Sequence, residues 1–374
     1  MLVNIPINIP DIDEQEIREV TSVLSEKALT SASFEGGKRV RQFENLLSNF
    51  VKSKFAIAVN SGTSALQASL YALDIKPNDE VLIPSFTFVA TANSVKSIGA
   101  KPVFVDILKD NFTMDPDDMK KKITKRTKAI IPVHLYGHVA YMEEIMEIAK
   151  KNKLFVIEDN AQALGSKVKL SNSTKVMSGT IGDIGTTSFF PSKNLGGYGD
   201  GGAIFTNSDD LALKIRGIVN HGMYKRYYHD EIGVNSRLDS IQAAILNVKL
   251  KYLNVYNNRR IDAANDYNSR LESINEIEIP YIESSTDSHI FHQYTIKVKN
   301  GKRDKLADFL SSKEIPYGIY YPLGFHEQKA YKNNFNQSEN FENTNIVKDQ
   351  VISLPMHTEL SKSQIDFICN SIKE

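Results

Sequence analysis

The chain has one cysteine, Cys369, no tryptophan, and no surplus of either charge. A lone cysteine forms no intrachain disulfide and cannot build a thiolate zinc or iron–sulfur site, which suits a reducing compartment. Lys+Arg 45 are matched by Asp+Glu 45, so no global field draws the chain to nucleic acid or to an anionic membrane. No stretch approaches the roughly 20 apolar residues that span a bilayer, and the opening MLVNIPINIPDIDEQE lacks a basic start followed by an apolar run. These features lead us to expect a cytoplasmic protein with neither membrane nor nucleic acid as partner. G-x-S-x-G and G-x-x-x-x-G-K-[ST] motifs are missing as well, which leaves hydrolase and NTPase chemistry without an anchor. His134 and His138 stand four apart, but Gly137 lies inside the HLYGH segment and no glutamate separates the histidines; no metal site is expected.

What is present is an ordinary globular composition, 41% hydrophobic and 24% charged over 374 residues, enough for two or three domains at about 150 residues each. Short apolar runs alternate with helical patterns from Phe55 to Asn207: FAIAVN (55–60), EVLIPS (80–85), PVFVDI (102–107), AIIPVHL (129–135), LFVIED (154–159), TTSFF (186–190) and AIFTN (203–207). Most lack polar alternation, as strands covered on both faces of a largely parallel sheet do. The class is α/β. Helical patterns precede this core at 13–26 and 37–51, and others, such as 63–73 and 139–151, lie between the strands. A long helical stretch at 240–274 leads to a strand at 294–299 and a helix at 302–313. We therefore expect a large domain over 1–245 and a smaller α+β domain over 246–374. The segment 333–345 reads as a polar loop, and the basic run 120–128 as a solvated helix end.

Four segments carry chemistry. In FFPSKNLGGYGDGGAIFTN (189–207), Gly197, Gly199 and Gly202 satisfy G-x-G-x-x-G, yet the loop runs into a strand where a dinucleotide fingerprint opens a helix. What remains is Lys193, just past an apolar strand, where desolvation would free its amine as a nucleophile suited to a Schiff base; alone, it could equally be a surface lysine. In AVNSGTSALQASL (58–70) a strand ends in Asn60-Ser61-Gly62-Thr63 and a helix starts at once, offering amides and hydroxyls to a phosphate, or a simple helix cap. VIEDNAQALGS (156–166) places Glu158 and Asp159 at a strand end, where a buried carboxylate needs a cation or an N–H, such as a protonated pyridine, as partner. PSFTFVATANSV (84–95) brings Phe86 and Phe88, either of which could stack on a ring or serve the core.

Phosphate cup, stacking aromatic, ring acid and lysine together make a pyridoxal 5'-phosphate site. With NSGTSAL, PSFTFVATANSV, GAKPVFVDI, IPVHLYGH, IEDNAQALGS, TSFFPSKNLGGYGDGG and GVNSRLDSIQAAIL in this order, the chain resembles the DegT/DnrJ/EryC1/StrS nucleotide-sugar aminotransferases over nearly its whole length. The resemblance implies a fold-type I architecture, a mainly parallel sheet covered by helices with a smaller C-terminal α+β domain. It also implies roles: Lys193 as the cofactor-bound amine and proton carrier, Asp159 on the pyridine N–H, Gln162 on the ring hydroxyl, Gly62, Thr63 and Ser188 on the phosphate, and Phe88 over the ring. Asn235 would reach the phosphate of a neighbouring subunit, so that a homodimer shares its active sites. Arg237 and the lone His326 in YYPLGFHEQKAY would face the substrate, a nucleotide-linked keto sugar, with glutamate as donor. Ser236 stands where many members acting at C4 carry an aromatic residue, so the form NSRLD resembles members acting on 3-keto sugars, including 3-oxo-glucuronate aminotransferases of surface-polysaccharide pathways. A 4-keto sugar aminotransferase, a sugar dehydratase, which in some relatives has histidine in place of the lysine, and a cofactor-bound regulatory protein are the alternatives.

Overall fold

A computed structural model describes residues 5–282, 287–331 and 340–374. Seven strands form the central sheet: β1 (Phe55–Val59), β2 (Glu80–Pro84), β3 (Lys101–Val105), β4 (Thr127–Ile130), β5 (Phe155–Asp159), β6 (Ile184–Ser188) and β7 (Gly202–Thr206). Their order is β1-β7-β6-β5-β4-β2-β3. The pairs β2/β3, β2/β4, β4/β5 and β5/β6 are parallel, whereas β7 runs antiparallel to both β6 and β1. The reversal follows from the connection. Helices carry the chain from β1 through to β5, and turns with the hairpin Lys167–Lys169/Lys175–Met177 carry it from β5 to β6, but β6 passes to β7 through the loop containing Lys193 with no long crossover, so β7 returns antiparallel beside it. Two reversals leave β1 parallel to β5 and β6, and the ends of all three fall on one edge of the sheet.

The apolar runs are continuous because both faces are covered. Ile57 and Val59 of β1 pack into one cluster with Leu66 and Leu70 of the helix Gly62–Ala72, while Ala56 and Ala58 pack into another with Phe43 and Leu47 of the helix Lys38–Val51. This is the period of two expected of a strand. A second, antiparallel sheet of Ile277–Glu278, Tyr294–Val298 and Val351–Leu354 shares a separate core with the helices Leu253–Leu271 and Lys362–Lys373.

Several boundaries differ from the sequence reading. The run 129–135 stops pairing as a strand at Ile130, because Pro132 has no N–H to offer the ladder; a lone bridge from Val133 to Asp159 remains. The stretch 240–274 is broken into Ser240–Lys249 and Leu253–Leu271 by a 3-10 turn at Leu250–Tyr252. Residues 333–339 of the expected polar loop lie outside the described residues, but 342–345 open the helix Glu342–Lys348. Asp106 explains that start: its carboxylate accepts the N–H groups of Asn343 (2.9 Å) and Thr344 (3.0 Å), which a helix's first turn leaves without carbonyl partners. In the basic run, Lys122 turns back to the Phe104 carbonyl at 2.8 Å, while Lys120, Lys121 and Lys125 are exposed.

Candidate active site

The edge formed by the ends of β1, β5 and β6 gathers the residues singled out from the sequence. At β1, Ser61 caps the helix Gly62–Ala72, its hydroxyl accepting the Ser64 N–H at 3.1 Å. The amides of Gly62 and Thr63, in the first turn, have no carbonyl of their own helix to bond and point with the positive end of its dipole. No acidic residue occupies that turn. Ser188, at the end of β6, closes the cup so tightly that a Cβ at Gly62 would lie 2.9 Å from Ser188 Cβ. Gly202 backs it from β7, where a Cβ would fall 2.6 Å from the Ser61 carbonyl carbon. The glycine in that loop therefore serves close backbone approach.

The carboxylate pair at the end of β5 divides by strand alternation. Glu158, fully buried, accepts the N–H groups of Gly179 (2.7 Å), Ile181 (2.6 Å) and Gly182 (2.7 Å), and bonds His134 Nε2 at 2.9 Å. Because His134 Nδ1 accepts the Ala140 N–H at 3.1 Å, its proton sits on Nε2 and is donated to Glu158. Asp159, 6% exposed, has among the described residues the Thr91 hydroxyl (2.8 Å) and the Ala161 N–H (3.2 Å) as its two donors. Burial pushes its carboxyl above the usual carboxylate range, against the pull of those bonds and of Lys193. Across from it, burial draws the Lys193 amine down to about 8, with Asp159 opposing the shift. Among the described residues no side chain hydrogen-bonds the amine.

Gln162 Oε1 accepts the Tyr136 N–H at 2.6 Å, and its Nε2 donates to the Tyr321 hydroxyl at 3.4 Å, leaving one amide hydrogen for a ligand. Phe86 is buried, while Phe88 is 54% exposed with its ring 6.3 Å from that of Tyr321; of the two, Phe88 is free to cover a ligand. Thr91, Tyr321 and Tyr136 were not singled out in the sequence. All three lie within segments quoted there, but none carries a local signal of what it touches.

Other expected residues lie at the margins of this group, Asn235 and Arg237 against the end of β1 and His326 near the end of β2. Asn235 is exposed, its carbonyl taking the Asn60 Nδ2 at 3.3 Å. Arg237 bridges to Val59 through its backbone and donates to Asn220 Oδ1 at 2.8 Å. His326 lies on the turn Phe325–Glu327, held to the end of β2 by the bond from Phe325 N–H to the Ser85 carbonyl (2.9 Å); its ring stacks 4.7 Å from Phe341 and bonds Asn345 Oδ1 at 2.9 Å.

The sequence pattern of the DegT/DnrJ/EryC1/StrS aminotransferase family matches residues 10–373, and the chain belongs to that family. It is 41% identical over 374 residues to a pleiotropic regulatory protein of Geobacillus stearothermophilus, covering 98% of each chain. It is 42% identical to a UDP-N-acetyl-3-dehydro-alpha-D-glucosamine 3-aminotransferase of Acidithiobacillus ferrooxidans, over 93% of this chain and 91% of the relative. Among solved structures, NtdA of Bacillus subtilis with bound cofactor PMP superimposes with a TM-score of 0.87 at 32% identity, covering 100% of this chain and 87% of that one. The donor set fits such a cofactor: helix amides and a hydroxyl for a phosphate, a buried acid for a ring N–H, and a desolvated amine for an aldehyde.

Proposed function

We propose that the protein is a pyridoxal phosphate-dependent aminotransferase that moves the amino group of glutamate to the keto group of a nucleotide-linked sugar, with a UDP-linked 3-keto sugar favoured. The observation that carries this reading is buried Asp159 facing the half-buried, desolvated amine of Lys193 beside an acid-free helix start. The Acidithiobacillus relative's activity and Ser236 support the 3-keto position.

The cofactor, when bound, supplies an aldehyde for the amine and a ring that takes up negative charge. The protein's own residues do the rest. Gly62, Thr63 and Ser188 would hold the phosphate, and Asp159, itself oriented by Thr91, would accept the ring N–H and keep it protonated. Gln162 donates its remaining amide hydrogen to the ring hydroxyl, and Phe88 shields the ring from water. Lys193 would hold the aldehyde and, as a free amine, would move the proton at the reacting carbon, a task matched to an amine whose pKa burial draws down to about 8. Exposed Asn235 is suited to reach a second copy's phosphate, and Arg237 and His326 to meet the sugar nucleotide, in a homodimer with shared sites.

The test is reduction with borohydride followed by peptide mapping, which should tag Lys193, and bleaching of the visible band by glutamate. A tag elsewhere refutes the assignment. A band indifferent to every amino donor would favour the regulatory reading that the Geobacillus relative's name suggests.

A further inference from the structure

The turn that carries His326 is held from a distance. Asp106, at the end of β3 and 7% exposed, accepts the N–H groups of Ile107 (2.9 Å), Asn343 (2.9 Å) and Thr344 (3.0 Å) and the Thr344 hydroxyl (2.8 Å). All but the first of these donors come from the helix Glu342–Lys348, 237 and 238 positions along the chain. Asn343 adds a bond from Nδ2 to the Ile107 carbonyl at 2.8 Å. Thr344 has a single hydroxyl hydrogen and gives it to Asp106, so in the 2.6 Å bond between the Thr344 and Ser85 hydroxyls Ser85 is the donor. The carbonyl of the same Ser85 accepts the Phe325 N–H at 2.9 Å. Asp106, Thr344 and Ser85 are all buried, and a buried polar chain with every hydrogen assigned specifies one geometry.

The His326 ring is held by residues on either side of those that Asp106 clamps. It stacks 4.7 Å from Phe341, and its Nε2 bonds Asn345 Oδ1 at 2.9 Å. The backbone of the turn rests on Ser85 through Phe325, whose own ring stacks 5.2 Å from Phe104 of β3. Ser85 also opens the segment that brings Phe88 and Thr91 to the active site, and Tyr321, just before the turn, meets Gln162 at 3.4 Å. Among the described residues, none of Asp106, Thr344 and Ser85 bonds Asp159 or Gln162. The network reaches the margin of the site and stops short of its centre.

We propose that Asp106 is a positioning residue for the acceptor substrate: through Thr344 and Ser85 it fixes the turn Phe325–Glu327 and the His326 ring, and so sets affinity for the sugar nucleotide without a part in donor chemistry. This rests on the function proposed above, in which His326 meets the sugar nucleotide. A turn already ordered before the ligand arrives spares binding the entropy of ordering it. Glutamate carries no nucleotide to extend to the turn, so the half-reaction that consumes it should not register the clamp. The half-reaction that aminates the sugar should.

The full-length protein loaded with pyridoxal phosphate provides the test. Asp106→Asn sets an amide NH2 against groups that need an acceptor, and Thr344→Val keeps the side chain's shape but deletes the hydroxyl between Asp106 and Ser85. The first should raise KM for a UDP-linked 3-keto sugar about tenfold and the second about threefold, with kcat and the single-turnover rate of bleaching by glutamate within about twofold of wild type. Thr344→Ser restores the hydroxyl and should return KM to the wild-type value. A merely structural clamp would lower both half-reactions with the folded fraction and leave KM alone. That result, or an unchanged KM in folded variants, overturns the proposal; if Asp106→Asn fails to fold, the Thr344 pair decides. Hydrogen exchange separates the clamp from the function it rests on: the amides of 325–327 should exchange faster in Asp106→Asn and Thr344→Val than in wild type and Thr344→Ser. A wild type that aminates no sugar refutes the proposed function, and the exchange pattern then sustains the positioning of the turn if it differs in this way and overturns it if all four proteins exchange alike.

Discussion

Two neighbouring carboxylates at the end of β5 face opposite sides of the sheet, and the contrast between them separates scaffold from site. On the Glu158 side, three backbone N–H groups and His134 saturate a fully buried acid, and a loop that would otherwise be unsatisfied is folded around it. On the Asp159 side, two donors among the described residues serve an acid that is also buried, and no described side chain hydrogen-bonds the nearby amine. Both are buried charges with the same sequence neighbourhood. The difference is satisfaction: a polar cluster that has met all its needs holds the fold, and one left short has capacity for a ligand.

The largest effect should come from the under-satisfied side. Lys193→Ala is expected to lower turnover of glutamate with a UDP-linked 3-keto sugar on the order of 10⁴-fold, the upper range for a lost proton-transfer group, with the melting temperature of the cofactor-free chain unchanged or higher. A steady-state assay paired with thermal unfolding decides it.

The sharpest break of the comparison is the paired substitution. Glu158→Ala strands His134 and three amides in a dry interior and should cost about 3–5 kcal/mol in denaturant unfolding. Asp159→Asn removes a carboxylate whose ionisation burial already opposes, so it should leave stability within about 1 kcal/mol while lowering turnover roughly 10²- to 10³-fold. Equal stability losses for the two would erase the distinction.

How far the sequence reveals such a site depends on how local its parts are. The cup at 60–63, the acid pair at 158–159 and the lysine at 193 each sit in a contiguous strand–turn signal, so composition and spacing reach them as candidates. The choice between Glu158 and Asp159 needs to know which face each presents, and β5, buried on both sides, shows no polar alternation to tell. Thr91 meets Asp159 from 68 positions away, and Tyr321 meets Gln162 from 159 away; only the folded topology makes those pairs. Pro132 could have ended the strand at 130, but the apolar run through Val133 masked it.

Within the cup, the two glycines should respond unequally. Gly202→Ala places a Cβ 2.6 Å from the Ser61 carbonyl carbon, against backbone that cannot yield without moving the amides of Gly62 and Thr63. Gly62→Ala meets Ser188 Cβ at 2.9 Å, a shallower overlap although that atom is also fixed by its backbone. We expect cofactor affinity, measured by fluorescence titration, to fall roughly tenfold or more for Gly202→Ala, about 1.4 kcal/mol, and by less for Gly62→Ala. The reverse order would place the phosphate elsewhere.

The smallest effect lies in how stability follows pH. The Lys193 amine is lowered from 10.5 in the unfolded chain to about 8 in the folded one, so between those values the unfolded chain binds more protons and the folded state gains stability as pH rises. Below about 8 both states are protonated and the penalty for burying the charge is constant; above 10.5 it is gone. Lys193→Met deletes this linkage, so the stability difference between the cofactor-free variant and wild type should be flat below pH 8 and shrink toward pH 10.5. Subtracting the two curves cancels the other lysines and tyrosines that titrate in the same window. Glu158→Gln, on the saturated side of the strand, should leave that slope untouched. A wild-type curve parallel to that of Lys193→Met across the window would mean the amine titrates as an exposed lysine does, and the contrast drawn between the two faces of β5 would lose its physical basis.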